Sequence, residues 1–178
     1  VDPLTSMGAN ISASDKGTLP ITINSVKSLQ SIEYSLPVAS AQVKSCLMLA
    51  GLFAEGETRI KENVITRDHT EKIFLEFGIP IEIFSEKTFK TICVNKIQRI
   101  EPKDISVPGD FSSASFFILA ALICPNSFLR LNNVGINDTR IGFLHALRNM
   151  GANIDLINHK DTPCLLYTSD AADDRLRV

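Results

Sequence analysis

Three clusters of small polar and charged residues stand where helices should begin, and two of them have the makings of an anion site. Ser40, Ala41 and Gln42 open the run Ala39 to Phe53, which is apolar at helical spacing. Free backbone N–H groups and the positive end of the helix dipole meet at such a point and favour phosphate or carboxylate. Ser40 adds a hydroxyl and Gln42 an amide donor; the plainer reading of Ser40 is that it caps the helix. Thr66-Arg67-Asp68-His69-Thr70-Glu71 opens a second helix. The dipole disfavours a cation there, so Arg67 set against it points to an anion, whose oxygens its fork suits. A surface salt bridge from Arg67 to Glu71 is the competing reading. Asp68-His69 does not suggest a nucleophilic triad: neighbours in sequence do not easily face each other, and no strained Ser elbow accompanies them. Val107-Pro108-Gly109-Asp110-Phe111-Ser112-Ser113 marks the third start, where Gly109 permits a sharp turn and Asp110 or Ser112 can cap. Arg140, in Asn137-Asp138-Thr139-Arg140, stands at a further helix start and reads as a surface arginine.

The elements that must hold these residues repeat. Met7-Gly8-Ala9-Asn10-Ile11 recurs as Met150-Gly151-Ala152-Asn153-Ile154, with Phe77-Gly78-Ile79-Pro80-Ile81 between them at intervals of about 70 residues. Each reads as a helix end, a Gly in the left-handed conformation, and an Ile entering a sheet. Within the repeats, Ala39 to Phe53 and Phe111 to Cys124 predict helices buried all round. Asp68 to Phe77 and Thr139 to Met150 predict further helices; Asp68 as N-cap with Glu71 three residues on gives the first a capping-box-like start. Gly56 to Lys61, Ile79 to Phe84, Phe89 to Val94 and Phe128 to Val134 predict strands. Each repeat then holds two helices and three or four strands, an α/β (α+β) module stacked on copies of itself. Helix starts from successive modules would converge on one cleft, a well for a doubly anionic substrate pair.

Composition narrows the function classes. A net charge of −2 gives no electrostatic reason to expect nucleic acid or an anionic membrane. Trp is absent and aromatics are 7% of the chain, so a base-stacking platform is not expected. No apolar run approaches the roughly 20 residues needed to span a bilayer. Cys46, Cys93, Cys124 and Cys164 are far apart among apolar residues, which predicts buried reduced thiols, a cytoplasmic setting and no metal site. The opening Val1-Asp2-Pro3 reads as a chain entered partway along.

Taken in order, LPVASAQVKSCLMLAGLFAEGETRI, TRDHTEKIFLEFG, VPGDFSSASFFILAALI, NDTRIG and LRNMGANI resemble the EPSP synthase family from Met7 to about Ile157, and its class II branch in particular. The resemblance implies a two-domain enolpyruvyl transferase fold of repeated β-α-β-α-β-β units, incomplete here. Residues 1–105 would be the later part of one domain and 106–161 the start of the second. It also implies transfer of the enolpyruvyl group of phosphoenolpyruvate to the 5-hydroxyl of shikimate 3-phosphate, with no cofactor, by a monomeric cytoplasmic enzyme. By motif position, Ser40, Ala41, Gln42 and Arg67 would bind shikimate 3-phosphate, with Gln42 also near the phosphoenolpyruvate. Asp110 would support the domain crossover without acting as catalytic base. The family's N-terminal Lys-Ser…Arg cluster and its later Asp and Lys-Glu…Asp-Arg segments have no counterpart in these residues, so no catalytic residue is assigned and negligible turnover by the chain alone is expected. Cys164 to Asp173 looks like a translated transposon adapter, and residues 162–178 are expected to be adapter-derived or disordered. The alternatives are the sister transferase acting on UDP-N-acetylglucosamine, a non-catalytic shikimate 3-phosphate-binding remnant, and a purely structural repeat protein.

Overall fold

The computed structural model describes every residue except 15–16, 87–88, 158, 162–165, 169–174 and 178, and only the backbone of 159–161, 166–168 and 175–177. The chain divides into two compact units, residues 1–101 and 102–178.

The first unit runs α1 (Asp2–Ser6), β1 (Asn10–Ser12), β2 (Thr22–Asn24), β3 (Leu29–Gln30), β4 (Glu33–Ser35), α2 (Ala41–Gly51), β5 (Ala54–Glu55), β6 (Glu57–Glu62), α3 (His69–Glu76), β7 (Ile81–Ser85) and β8 (Lys90–Asn95). Its main sheet has the order β4-β6-β8-β7, with β4 parallel to β6 and the other pairs antiparallel. Period-two alternation on β6 turns Thr58, Ile60 and Glu62 inward. Ile60 and, from β8, Ile92 and Val94 join Leu47, Met48 and Leu52 of α2 and Phe74 of α3 in one core. Gly51 lets α2 lie close on this sheet: a Cβ there would come within 3.1 Å of the Thr58 side chain.

The second unit contains α4 (Phe111–Ile123), β9 (Arg130–Leu131), α5 (Gly142–Asn149), β10 (Asp155–Ile157), β11 (His159–Asp161), β12 (Leu166–Thr168) and β13 (Arg175–Arg177). Strands β10, β13 and β9 form an antiparallel sheet, and β11 pairs with β12. Phe111, Ala114 and Ile118 of α4 pack with Val134, Ile136, Leu144 and Leu147.

The repeated helix ends are three copies of one structure. Gly8, Gly78 and Gly151 have φ of 87°, 69° and 92°. At each, the Gly N–H and the next N–H bond back to carbonyls three and five residues earlier: Thr5 and Leu4, Leu75 and Phe74, Arg148 and Leu147. These are Schellman ends, for which a Cβ would be strained.

Several expectations need correction. Helices α2 and α4 are not buried all round: Leu49 and Phe53 are exposed on or beside the first, and Phe116, Phe117 and Ile123 on the second. The expected strand Phe128 to Val134 is reduced to β9 and a single parallel bridge from Val134 to Gly109, because Asn133 takes a left-handed φ of 51° that interrupts it. Among the described cysteines, only Cys93 is buried, and burial pushes its thiol pKa up. Cys46 on α2 and Cys124 at the end of α4 are exposed free thiols, and Cys164 lies outside the described residues. Of the tail, 166–168 and 175–177 are described, as strand backbone; the remainder of 162–178 lies outside the described residues.

Candidate functional site

The start of α2 is built by Ser40. Its backbone is extended (φ −140°, ψ 105°) and its Oγ accepts from Val43 N at 3.3 Å, an ordinary N-cap. The same hydroxyl donates to Gln42 Oε1 at 3.4 Å, which leaves the Gln42 amide nitrogen as the donor at this helix start. Ala41 and Gln42 then form one wall of a cleft of about 530 Å³, with Ser45 one turn further along. Arg67, His69 and Thr70, at the start of α3, form the opposite wall, and Cys46 and Leu49 supply an apolar edge. A 2.6 Å hydroxyl contact between Ser45 and Thr70 ties the two walls together.

Behind the cleft lies an ion network that the sequence motifs do not announce. Lys44, Glu62 and Glu71 are buried to within 1% of complete. Lys44 Nζ donates to Glu71 Oε1 at 2.7 Å, to Glu62 Oε2 at 3.2 Å and to the Arg67 carbonyl at 2.7 Å. Lys90, the cross-strand partner of Glu62, donates to the same Glu71 oxygen at 3.0 Å. Glu62 Oε1 in turn accepts from the amide (3.2 Å) and the hydroxyl of Thr66. Two lysines and two glutamates balance in charge, as burial requires. The network also rules out one of the two readings of Arg67. Glu71 faces inward, occupied by lysines, so neither the capping box nor the Arg67–Glu71 salt bridge forms; Asp68 pairs instead with Lys72 at 3.1 Å. Arg67 is half-buried on the cleft wall, and its guanidinium has no carboxylate partner among the described residues. One signal pointed here: Lys44 is the single charged residue between Ala39 and Phe53.

Asp110 belongs to the second unit. Its carboxylate caps α4, accepting from Ser113 N at 2.9 Å and Ser113 Oγ at 3.0 Å. Those bonds, with Arg140 nearby, hold its pKa below the ordinary 3.8. Arg140 Nη2 reaches Asp110 Oδ1 at 3.3 Å and also the Ser112 hydroxyl, so this arginine is not a detached surface residue but a brace on the helix start.

Ala41, Gln42 and Arg67 are therefore brought together on one cleft, Ser40 sits directly beside it as the cap, and Asp110 occupies a separate helix start. Among the described residues no group of three or more His, Cys, Asp or Glu is placed to hold a metal ion, and no helix is long and apolar enough to cross a membrane.

Comparison with known proteins gives this geometry a context. The family model for EPSP synthase (3-phosphoshikimate 1-carboxyvinyltransferase) matches residues 1–168. A 3-phosphoshikimate 1-carboxyvinyltransferase from Legionella pneumophila is 46% identical over 158 residues, which cover 89% of this chain and 35% of that protein. One from Leuconostoc citreum is 48% identical over 154 residues, 86% of this chain and 35% of that protein. The chain thus spans about a third of the length of the curated relatives it matches. The solved EPSP synthase of Acinetobacter baumannii superposes with a TM-score of 0.81 at 38% identity, covering 99% of this chain and 38% of that one. The enolpyruvyl transferase NikO of Streptomyces tendae, at 18% identity and a TM-score of 0.64 over 94% of this chain and 40% of that one, shares the fold. The mixed α/β fold is that of an enolpyruvyl transferase, and the chain belongs to the EPSP synthase family.

Proposed function

We propose that the cleft between the starts of α2 and α3 binds shikimate 3-phosphate, and that the chain contributes this wall to an enolpyruvyl transferase. In that reaction the 5-hydroxyl of shikimate 3-phosphate adds to C2 of phosphoenolpyruvate while C3 is protonated; phosphate then leaves the tetrahedral intermediate, giving EPSP. The observation that carries the reading is Arg67, half-buried on the cleft wall with no carboxylate partner among the described residues and opposite the N-terminal turn of α2. A guanidinium fork, an amide donor from Gln42 and the free N–H groups of a helix start suit an anionic, polyhydroxylated ligand. Ser40 shapes the site through its cap and offers its hydroxyl to the ligand; Ala41, with no bulk beyond Cβ, lets the ligand approach the backbone. Gln42 also lies near the phosphoenolpyruvate in this reading. Asp110 supports the start of α4 and takes no proton in the reaction.

The reading includes a monomeric, cytoplasmic enzyme that works on two small molecules and has no nucleic-acid or membrane partner; these points rest on the family alone. Since the chain spans 35% of the Legionella pneumophila relative, we propose that it binds without measurable turnover.

Calorimetric titration of the purified 178-residue chain with shikimate 3-phosphate tests the reading. Saturable binding is expected, weakened by about tenfold or more in Arg67→Ala, the loss of one charge-assisted contact. An Arg67→Ala chain that binds as well as the wild type would contradict it, as would product formed by the purified chain for the claim of no turnover.

A further inference from the structure

We infer that Lys44 is a positioning residue for the anion site, holding Arg67 in place through its backbone from inside the core; the inference rests on the shikimate 3-phosphate reading of the cleft. Lys44 lies behind the cleft, on the same helix as Gln42 and Ser45, yet it contributes nothing to the cleft surface. Its ammonium donates only toward the segment that carries Arg67 and the strand beside it: to the Arg67 carbonyl itself at 2.7 Å, to Glu71 of α3 at 2.7 Å, and to Glu62 of β6 at 3.2 Å. Glu62 passes the constraint on by accepting from Thr66, the residue before Arg67. The backbone on both sides of the Arg67 turn is thereby anchored to one buried cluster.

Stability alone is a poor account of this cluster. Four buried charges are commonly no better than well-packed apolar side chains of the same volume. Glu71 Oε2 is buried without a hydrogen-bond partner among the described residues, a cost that an apolar replacement would not carry. An apolar cluster, however, offers no donor to a loop carbonyl and no acceptor to a loop amide. What the ionic cluster supplies is a fixed backbone at residues 66–67, and with it a guanidinium root that does not wander. The two buried glutamates of the cluster are also taken by lysines, which keeps the arginine from collapsing onto Glu71.

The test uses the full chain with two changes made together, Lys44→Met and Glu62→Gln. Charge balance is kept by the remaining Lys90–Glu71 pair, and the side-chain amide oxygen introduced at position 62 can still accept from Thr66, so the contacts removed are those of the ammonium to the Arg67 carbonyl and to Glu71 and Glu62. Shikimate 3-phosphate affinity is measured by calorimetry, and the Arg67 carbonyl 13C and Asp68 amide shifts by NMR. The double variant should bind about tenfold more weakly. The same two changes made in an Arg67→Ala background should cost less than about twofold, because the losses share one route. Losses that multiply, or an unchanged affinity, would overturn the inference. If the wild-type chain itself fails to bind, the functional reading falls, and the positioning claim is decided by NMR: beyond the shifts that flank the substituted positions, changes at residues 66–68 support it, and unchanged shifts there sink it. Lys44→Arg, which keeps the charge and so puts folding less at risk, provides the same readouts, since a planar fork does not reproduce the single-point contact of an ammonium.

Discussion

The starts of α2 and α4 use the same local device and differ in what lies behind it. Each is capped by a side-chain oxygen on the amide three residues later, Ser40 on Val43 and Asp110 on Ser113. Each also has an arginine near a second helix start of its own unit. At α4, Arg140 is tied to Asp110 and Ser112 in a half-exposed cluster. At α2, the carboxylates that would attract Arg67 are turned inward and neutralised by Lys44 and Lys90, leaving the guanidinium on the cleft wall. An arginine at a helix start is therefore not informative by its type. Its availability is set by which carboxylates the core has already claimed.

Substitutions at the two helix starts should separate them in both size and kind of effect. The greatest loss should come from Lys44→Met alone, which leaves two buried glutamates facing one lysine. Urea unfolding should show a loss of about 3–5 kcal/mol, the range for breaking a buried pair. Arg67→Ala should be nearly silent in the same unfolding assay but weaken shikimate 3-phosphate binding by about 1.5–3 kcal/mol. At the other helix start, Asp110→Ala should cost about 1 kcal/mol of stability as a lost N-cap, with helix fraying visible by circular dichroism. Its pH dependence has a definite sign. The folded-state pKa lies below the ordinary 3.8, so the cap's contribution is present above that value and is lost as pH falls through the lower folded one. Least of all, Arg140→Ala should cost under about 1 kcal/mol, and less in high salt, whereas the buried Lys44 cluster should be indifferent to salt.

How much of this was legible in the sequence follows from how local each interaction is. The Schellman ends at Gly8, Gly78 and Gly151 were readable because the left-handed Gly and its two back-bonds all fall within about six residues. The helix starts, and the presence of Arg67 at one of them, were readable for the same reason. The Lys44 cluster was not, since its partners lie 18 and 27 residues away and meet only when α2, β6 and α3 pack. Glu71 shows the consequence: local spacing suggested a capping partner, and a buried lysine from another helix outcompeted the cap. Helix α4 failed in a different way. Its uniform apolarity predicted burial all round, but periodicity says only that a surface is apolar, not what covers it, and Phe116 and Phe117 are 77% and 62% exposed.

If Arg67 and the start of α2 share one ligand, a crystal structure of the chain grown with saturating shikimate 3-phosphate will show it. The ligand should lie in the cleft, with the Arg67 guanidinium and the Gln42 amide each within about 3 Å of a ligand oxygen. A ligand bound elsewhere on the chain, or in the cleft with Arg67 turned away to a carboxylate, would contradict the shared site.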